Sequence, residues 1–206
     1  GLRADFDAQT ELDLKAKFST GMVLFVGSLK KYKGVEEFLE IARALPHTKF
    51  YASFNCDVKE LNDFFARIDL PDNVSLSARD IDLKQLYNDA FLVLNLSLPP
   101  HCIEGFGLTI LEGMSAGCPC VVPVSGGHMD YFTDDAGFAS DGRDAAAIAG
   151  FIGELRVDYD RWRRFSERAI EISKQYSAAV YRRKAGGLVK GIVQDYIERH
   201  DPEKSV

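Results

Sequence analysis

Two glutamates with seven residues between them are the side chains in this sequence best placed to do chemistry. Glu104 is followed by the residues Gly105-Phe106-Gly107, and Glu112 lies in a run of apolar and small residues that predicts a helix. A helix that is apolar on most sides is buried, and a lone buried carboxylate is costly unless a polar group meets it. The neighbours of Glu112 one helical turn away are Leu108, Ser115 and Ala116, none of which is a cation. Glu112 is therefore predicted to meet either a ligand or a distant partner.

The glycine-flanked start of this helix favours anions. The first backbone N–H groups of a helix have no partner within it, and the helix dipole makes that end positive. With Glu104 beside this end and Glu112 below it, the arrangement suits a ligand that carries both phosphate and hydroxyl groups. The alternative is a buried structural helix in which Glu112 forms an ion pair with an arginine or a lysine. Residue types alone leave both interpretations open.

A lysine-rich loop offers a second place for an anion. Gly27 ends an apolar run, and Lys30, Lys31 and Lys33 follow before Gly34 and the next helical pattern. Glycine lets the backbone approach an anion closely, and lysine supplies a point charge for phosphate. The loop has neither the Walker pattern nor the G-x-G-x-x-G order, so a P-loop NTPase and a dinucleotide oxidoreductase both fit poorly.

Strands and helices alternate along the chain and must position these residues. Apolar runs typical of buried parallel strands occur at 22–26, 49–54, 74–77, 91–96, 120–123 and 137–139. Helical patterns lie between them at 35–45, 58–68, 83–88 and 106–116, and three more follow at 145–155, 159–175 and 181–199. This alternation predicts an α/β fold with a doubly wound parallel sheet and C-terminal helices. Ligands bind at the carboxyl ends of such strands, so the loops 27–34, 77–82, 97–107 and 123–130 should share one rim.

Composition and charge exclude several other classes. The chain has 206 residues, of which 46% are hydrophobic and 27% charged, and a formal net charge of -6, so no basic footprint predicts nucleic-acid binding. No apolar stretch approaches the length of a membrane span and no secretory leader opens the chain, which predicts a cytoplasmic protein. Cys118 and Cys120 are too close for the usual zinc or redox spacings, and Cys120 is predicted to be a core residue. Four arginines, at 161, 163, 164 and 168, are predicted to form a solvated helix face.

Three of these segments, in their order and spacing, resemble the C-terminal, donor-binding domain of GT-B-fold retaining glycosyltransferases of family 4. The resemblance rests on Gly27-Ser28-Leu29 with Lys33-Gly34, on Glu104-Gly105-Phe106-Gly107 with Glu112, and on Gly126-Gly127. It covers roughly residues 21–175 and implies a Rossmann-like domain that forms one half of a GT-B fold. The division it implies is an entry segment at 1–20, the donor-binding domain at 21–175 and a helical tail at 176–206.

The resemblance also implies roles for individual residues. Glu104 would be the catalytic residue, facing the donor sugar, and Glu112 would accept hydrogen bonds from the ribose hydroxyls of the nucleotide. Lys33 would support the diphosphate leaving group, and Arg79 belongs to the stretch 78–81 that would cradle the base. The other residues implied to bind the donor are Gly27, Ser28, Gly105, Phe106, Gly107 and Leu108. Ser28 departs from the arginine that many members carry, so Lys30, Lys31 or Arg79 would have to compensate, or the donor binds more weakly.

The implied reaction transfers a sugar from a nucleotide-sugar donor to an acceptor hydroxyl with retention of configuration. It needs neither a metal nor another cofactor. The acceptor, a sugar or a lipid-linked glycan, would bind through an N-terminal domain that this sequence does not contain, so the isolated domain should turn over little. Two alternatives remain open: a non-catalytic nucleotide- or carbohydrate-binding module of the same fold, and a GT-B-like nucleotide-sugar epimerase, against which the spacing of the glutamates argues.

Overall fold

A six-stranded parallel sheet forms the centre of the molecule. The structure is a computed structural model, and it describes residues 13–79, 82–98 and 103–199. The strands are β1 Met22–Gly27, β2 Phe50–Phe54, β3 Val74–Ser77, β4 Ala90–Leu94, β5 Cys120–Pro123 and β6 Gly137–Ser140. Their order in the sheet is β3-β2-β1-β4-β5-β6, and every neighbouring pair is parallel. The sequence order therefore runs outward in both directions from the β1/β4 pair.

Helices cover both faces of this sheet. They are α1 Leu14–Thr20, α2 Val35–Ala44, α3 Val58–Phe65, α4 Leu83–Asp89, α5 Leu108–Ser115, α6 Ala145–Val157, α7 Tyr159–Lys174 and α8 Ala178–Arg199. Two single turns of 3₁₀ helix, Lys31–Lys33 and Gly127–Asp130, precede α2 and follow β5. The predicted doubly wound α/β class is confirmed. No helix in the described part of the chain is long and apolar enough to cross a membrane.

Each face of the sheet has its own hydrophobic core. Val23 and Phe25 of β1 pack with α2, α3 and α6, whereas Leu24 packs on the opposite face with α4 and α5. Successive residues of a strand point to opposite faces, so a strand covered on both sides must be apolar at every position. Trp162 of α7 is fully buried, and its indole N–H donates to Phe91 O at 2.9 Å, which holds α7 against β4.

Seven of these helices begin in one of two ways. Five of them, α1, α3, α4, α6 and α7, begin at an aspartate whose side chain accepts a backbone N–H of the first turn. By contrast, α2 and α5 begin at Gly34 and Gly107, which have left-handed backbones with φ of 82° and 72° and no side-chain cap. The first N–H groups of these two helices are therefore left to other partners.

Several boundaries differ from the sequence prediction. The helix predicted at 106–116 starts later, at Leu108, because Gly107 takes the left-handed conformation. The helix predicted at 58–68 ends at Phe65, and the last helix begins at Ala178 instead of residue 181. Of the entry segment 1–20, the described part forms α1, which ends at Gly21 in another left-handed turn. Residues 1–12, and Asp80 and Ile81 of the predicted base-binding stretch, lie outside the described residues.

Candidate functional site

A cavity of about 730 Å³ opens at the carboxyl ends of β1, β2 and β4 and at the start of α5. Its lining includes all ten residues predicted for the site: Gly27, Ser28, Lys33, Arg79, Glu104, Gly105, Phe106, Gly107, Leu108 and Glu112. The cavity lies where the strand order reverses, between β1 and β4, which is the usual ligand position in doubly wound sheets. The placement joins the residues in one cavity; their individual roles stay predictions.

Glu104 lies in a cluster of hydrogen-bond donors on the cavity wall. Its Oε2 atom is 3.1 Å from Lys33 Nζ, 3.2 Å from Asn95 Nδ2 and 3.3 Å from Ser97 Oγ. Ser97 Oγ also accepts from Lys33 Nζ at 3.1 Å, so the ammonium group bonds to both side chains. Burial raises the pKa of Glu104, but the Lys33 charge and these hydrogen bonds outweigh it, so the pKa lies below its usual value. Glu104 is thus held as a carboxylate.

Glu112 lies deeper, and its hydrogen-bond donor comes from another helix. The residue is 5% exposed, and the Tyr87 hydroxyl donates to its Oε2 atom at 3.1 Å. Tyr87 is itself fully buried, and that burial raises its pKa well above the usual value, so the hydroxyl keeps its proton. Tyr87 of α4 is thus a distant partner of the kind predicted for Glu112, and Glu112 also lines the cavity. The Tyr87 hydroxyl thus supports Glu112 from the side of α4.

A buried lysine fixes the end of α4 that carries Tyr87. Lys17 of α1 is 3% exposed, and its Nζ atom donates to the carbonyl oxygens of Tyr87 at 2.6 Å and Asn88 at 2.9 Å. These carbonyls belong to the last turn of α4, where a cation also meets the negative end of the helix dipole. Lys17 therefore anchors the helix that presents the Tyr87 hydroxyl to Glu112.

The start of α5 faces the cavity with its first N–H groups uncapped by a side chain. Gly107 and Leu108 line the cavity, and the first turn of α5 contains no acidic residue. A helix N-terminus of this kind attracts phosphate through its N–H groups and its dipole. The Tyr131 hydroxyl lies behind it, 2.7 Å from Phe106 O and 3.0 Å from Gly107 O.

The glycine pair supports the backbone of this loop from behind. Gly127 N donates to Glu104 O at 2.8 Å, and Glu104 and Gly126 form a parallel β-bridge. A Cβ atom on Gly127 would overlap the carbonyl group of Gly105, so only glycine allows this approach. The loop predicted at 123–130 therefore contacts the rim through the backbone of Glu104 and is not part of the cavity lining. The other three loops predicted for the rim line the cavity, through Lys33, Arg79 and Glu104.

Arg79, the second cation of the cavity lining, lies at the mouth of the cavity. Arg79 Nε donates to Asn55 Oδ1 at 2.7 Å, and both residues are exposed at the cavity edge. Of the three candidates to compensate for Ser28, Arg79 lines the cavity, whereas Lys31 pairs with Glu36 at 3.3 Å on the surface. In the described part of the chain, Lys33 and Arg79 are the lysine and the arginine of the cavity lining.

Sequence reasoning missed the residues that support the two glutamates and the loop before α5. They are Lys17, Tyr87, Asn95, Ser97 and Tyr131, all of them less than 9% exposed. One signal was available: Asn95 and Ser97 interrupt an apolar run immediately after a buried strand, where a polar side chain requires a hydrogen-bond partner. The other three carried no local signal, because their partners lie on different elements.

Two other clusters have structural roles. Three of the four arginines of α7 form ion pairs at the surface, with Arg161 bonded to Glu154, Arg163 to Glu167 and Arg168 to Asp135 and Glu171. The predicted solvated face is confirmed by these exposed pairs. Cys120 is fully buried in the second core, as predicted.

Comparison with known proteins gives one matching family model, described as glycosyl transferases group 1, which covers residues 15–172. Over 85 residues the chain is 33% identical to probable sucrose-phosphate synthase 5 of Oryza sativa subsp. japonica, covering 41% of this chain and 8% of that protein. It is 26% identical over 198 residues to the poly(glycerol-phosphate) alpha-glucosyltransferase of Bacillus subtilis, covering 92% of this chain and 28% of that protein.

The fold also matches solved structures. Anabaena HepE, solved in complex with UDP and glucose, aligns with a TM-score of 0.75 at 20% identity, covering 93% of this chain and 55% of that chain. At this identity the likeness shows a shared fold. The chain spans less than a third of the length of these curated relatives and about half of the HepE chain.

Proposed function

Because the chain belongs to the glycosyl transferases group 1 family, we propose that it is the nucleotide-sugar-binding half of a retaining glycosyltransferase of family 4. The observation that carries the proposal is the cavity itself. It combines a helix N-terminus for phosphate, a lysine beside it, and two carboxylates at different depths for hydroxyl groups. HepE, which shares the fold, is described as a complex with UDP and glucose, which supports the same ligand class here.

The nucleotide lies along the cavity from Arg79 to the start of α5 in this proposal. Arg79 and Asn55 meet the base at the mouth, and Glu112 accepts hydrogen bonds from the ribose hydroxyls. The diphosphate meets the N–H groups of Gly107 and Leu108 and the Lys33 ammonium. Glu104 faces the sugar, whose hydroxyl groups its carboxylate can bind.

The reaction breaks the bond between the anomeric carbon and the diphosphate oxygen, the oxygen of the acceptor hydroxyl bonds to the same face of the sugar, and the proton of that hydroxyl passes to the departing diphosphate. Negative charge develops on the leaving diphosphate, where Lys33 and the helix N-terminus stabilise it. The Glu104 carboxylate stabilises the positive charge that develops on the sugar ring. These charges come from groups of the chain, so donor binding is proposed to need no metal. The acceptor binds through a further domain of the whole protein.

Calorimetric titration with UDP, GDP and ADP tests the donor site. We expect one nucleotide to bind, and Glu112→Ala and Lys33→Ala each to weaken it about tenfold, since each removes a hydrogen bond that involves a charge. Arg163→Ala, in an exposed pair on α7, is the matched control and should leave binding unchanged. The affinity should be the same with and without EDTA. Unchanged binding after Glu112→Ala would contradict the ribose role, and binding of none of the three nucleotides would contradict the donor site.

Transfer by the whole protein distinguishes the enzyme from the two alternatives. With a sugar acceptor, the whole protein should release nucleotide from its donor, and Glu104→Gln should abolish release while nucleotide binding persists. A whole protein that binds nucleotide and never releases it from a nucleotide sugar would be a binding module. Formation of an isomeric nucleotide sugar without release would identify an epimerase.

A further inference from the structure

We propose that Tyr131 is a positioning residue for the terminal phosphate of a bound nucleoside diphosphate, a role that rests on the donor site proposed above. Tyr131 follows the 3₁₀ turn Gly127–Asp130 and is 6% exposed. It lies outside the cavity lining, directly behind the loop that leads into α5. Its effect on the ligand would therefore pass through the backbone of that loop.

The Tyr131 hydroxyl reaches two consecutive carbonyl oxygens of the loop. It lies 2.7 Å from Phe106 O and 3.0 Å from Gly107 O, so its single proton is directed at a pair of acceptors. Burial raises the pKa of Tyr131, which keeps the hydroxyl a donor throughout the neutral range. The ring is held in place by Phe106 and Tyr176, with centroid distances of 5.8 Å and 5.0 Å.

Peptide geometry links these carbonyls to the groups that face the ligand. In a trans peptide, the C=O of one residue and the N–H of the next point in opposite directions. Fixing Phe106 O and Gly107 O toward Tyr131 therefore turns the N–H groups of Gly107 and Leu108 away from it, and both residues line the cavity. Gly107 has a left-handed backbone and no side-chain cap, so the hydroxyl takes part in defining this conformation.

Close packing behind the loop supports the same role for Tyr131. A Cβ atom on Gly107 would lie 2.8 Å from Ile110 Cδ1, 3.0 Å from the Tyr131 hydroxyl and 3.2 Å from His128 Cβ. The loop is therefore packed closely against Tyr131 and His128, with little room to turn its peptide planes. Removing the hydroxyl would leave Phe106 O without this donor, so the peptide plane between Phe106 and Gly107 would lose one of the contacts that hold it, whereas Gly107 O keeps its bond from Leu111 N at 3.0 Å.

The proposal is tested in the 206-residue chain by the ratio of two affinities, that for a nucleoside diphosphate and that for the corresponding monophosphate. The probes are UDP, GDP or ADP, whichever binds the unaltered chain most tightly, and the corresponding monophosphate. Tyr131→Phe should weaken the diphosphate about threefold to tenfold, the value of one hydrogen bond, and leave the monophosphate nearly unchanged. A general loss of structure would weaken both probes together, so the ratio separates positioning from folding.

The matched control is Tyr176→Phe, which makes the same change in the neighbouring ring and should leave the ratio unaltered. A measurement on the unaltered chain covers the case in which Tyr131→Phe does not fold. In proton–nitrogen correlation spectra, the amide signals of Gly107 and Leu108 should move on addition of the diphosphate and stay in place with the monophosphate.

Two results would overturn the inference while the donor site stands. One is an equal ratio in Tyr131→Phe and the unaltered chain, and the other is an identical response of both amides to the two nucleotides. Failure of all three diphosphates to bind the unaltered chain would overturn the donor site, and the role of Tyr131 with it.

Discussion

At the scale of single residues, the two glutamates of the cavity differ in depth and in the hydrogen-bond donors described around them. Glu104 is surrounded by a cation and polar donors near the surface, whereas Glu112 meets a neutral phenol in the core. The first arrangement holds a charge ready for a ligand, and the second keeps a costly buried carboxylate hydrogen-bonded. Each setting leads to a separate prediction.

The Lys33–Glu104 ion pair should make stability depend on pH. Lys33→Met should lower the free energy of unfolding by about 1 kcal/mol at neutral pH, because the carboxylate loses its ion pair. Since the pKa of Glu104 lies below its ordinary value of 4.5 in the folded chain, this stabilisation is complete above 4.5 and lost as the pH falls through the lower, folded-state pKa. Urea unfolding at neutral pH and at steps below 4.5 measures it.

Lys59→Met is the control for this series. Lys59 pairs with Asp63, but their side chains are 85% and 65% exposed, so its loss should change stability little at any pH. A difference between Lys33→Met and the unaltered chain that stayed constant or grew in acid would refute the assignment.

Tyr87→Phe should destabilise the chain by about 1 to 2 kcal/mol, because the buried Glu112 carboxylate loses a donor while the ring volume stays the same. Combining it with Glu112→Met, which removes the acceptor at similar volume, forms a double-mutant cycle, and we expect the double variant to lose less than the sum of the single ones. Chemical denaturation measures all four proteins. Strict additivity would show that the hydrogen bond carries no stability.

At the scale of elements, the loop that carries Glu104 depends on the segment after β5. The bond from Gly127 N to Glu104 O and the bridge between Glu104 and Gly126 hold the two segments together. The described part of this loop, residues 103–107, has no strand of its own, so its conformation depends on this neighbour. The position of the catalytic candidate therefore depends on a glycine pair outside the cavity lining.

Gly127→Ala should separate these segments. Its Cβ atom would overlap the carbonyl group of Gly105, and relieving that overlap should cost about 1 to 3 kcal/mol of stability and weaken nucleotide binding. Gly105→Ala is the control for stability, since its Cβ atom would meet nothing within 4 Å. Its free energy of unfolding should stay within about 0.5 kcal/mol of the unaltered chain. If the two variants were equally stable in urea, the close contact between Gly127 and Gly105 would not be needed for stability.

At the scale of the whole molecule, the described side chains of α8 belong to neither of the two cores. Its exposed apolar side chains are Tyr181, Leu188, Val189, Ile192, Val193 and Tyr196. An apolar surface of this kind is typical of an interface.

A chain that ends at Ser177 should keep its stability and its nucleotide affinity, because the cores and the cavity lie before that residue. We expect the free energy of unfolding to change by less than about 1 kcal/mol, since the exposed side chains of α8 bury little apolar area. Thermal unfolding measures the stability and calorimetric titration measures the nucleotide affinity. Binding of an apolar dye should fall, because the exposed apolar side chains of α8 are gone. A loss of several kcal/mol would show that α8 belongs to the core.

The sequence by itself determined the number and type of the main elements and the chemistry available at the rim. Apolar runs and helical spacing are local properties, so they indicated six strands, their helices and the class of fold. The glycines and glutamates at strand and helix ends indicated the cavity residues, since parallel strands present their carboxyl ends at one edge. The ends of the elements were less certain, because a left-handed glycine such as Gly107 decides them.

Only the tertiary structure decided which groups hold the glutamates. Lys33 and Glu104 are 71 positions apart, as are Lys17 and Asn88, and Tyr87 and Glu112 are 25 apart. Such contacts depend on the order of the strands and on how each helix rotates against the sheet, and local periodicity contains neither. A tyrosine or lysine in an amphipathic pattern has the same local signal whether its polar end reaches water or a buried carboxylate. Packing of the whole chain makes that choice, because only there is the cost of burying a polar group met by a partner.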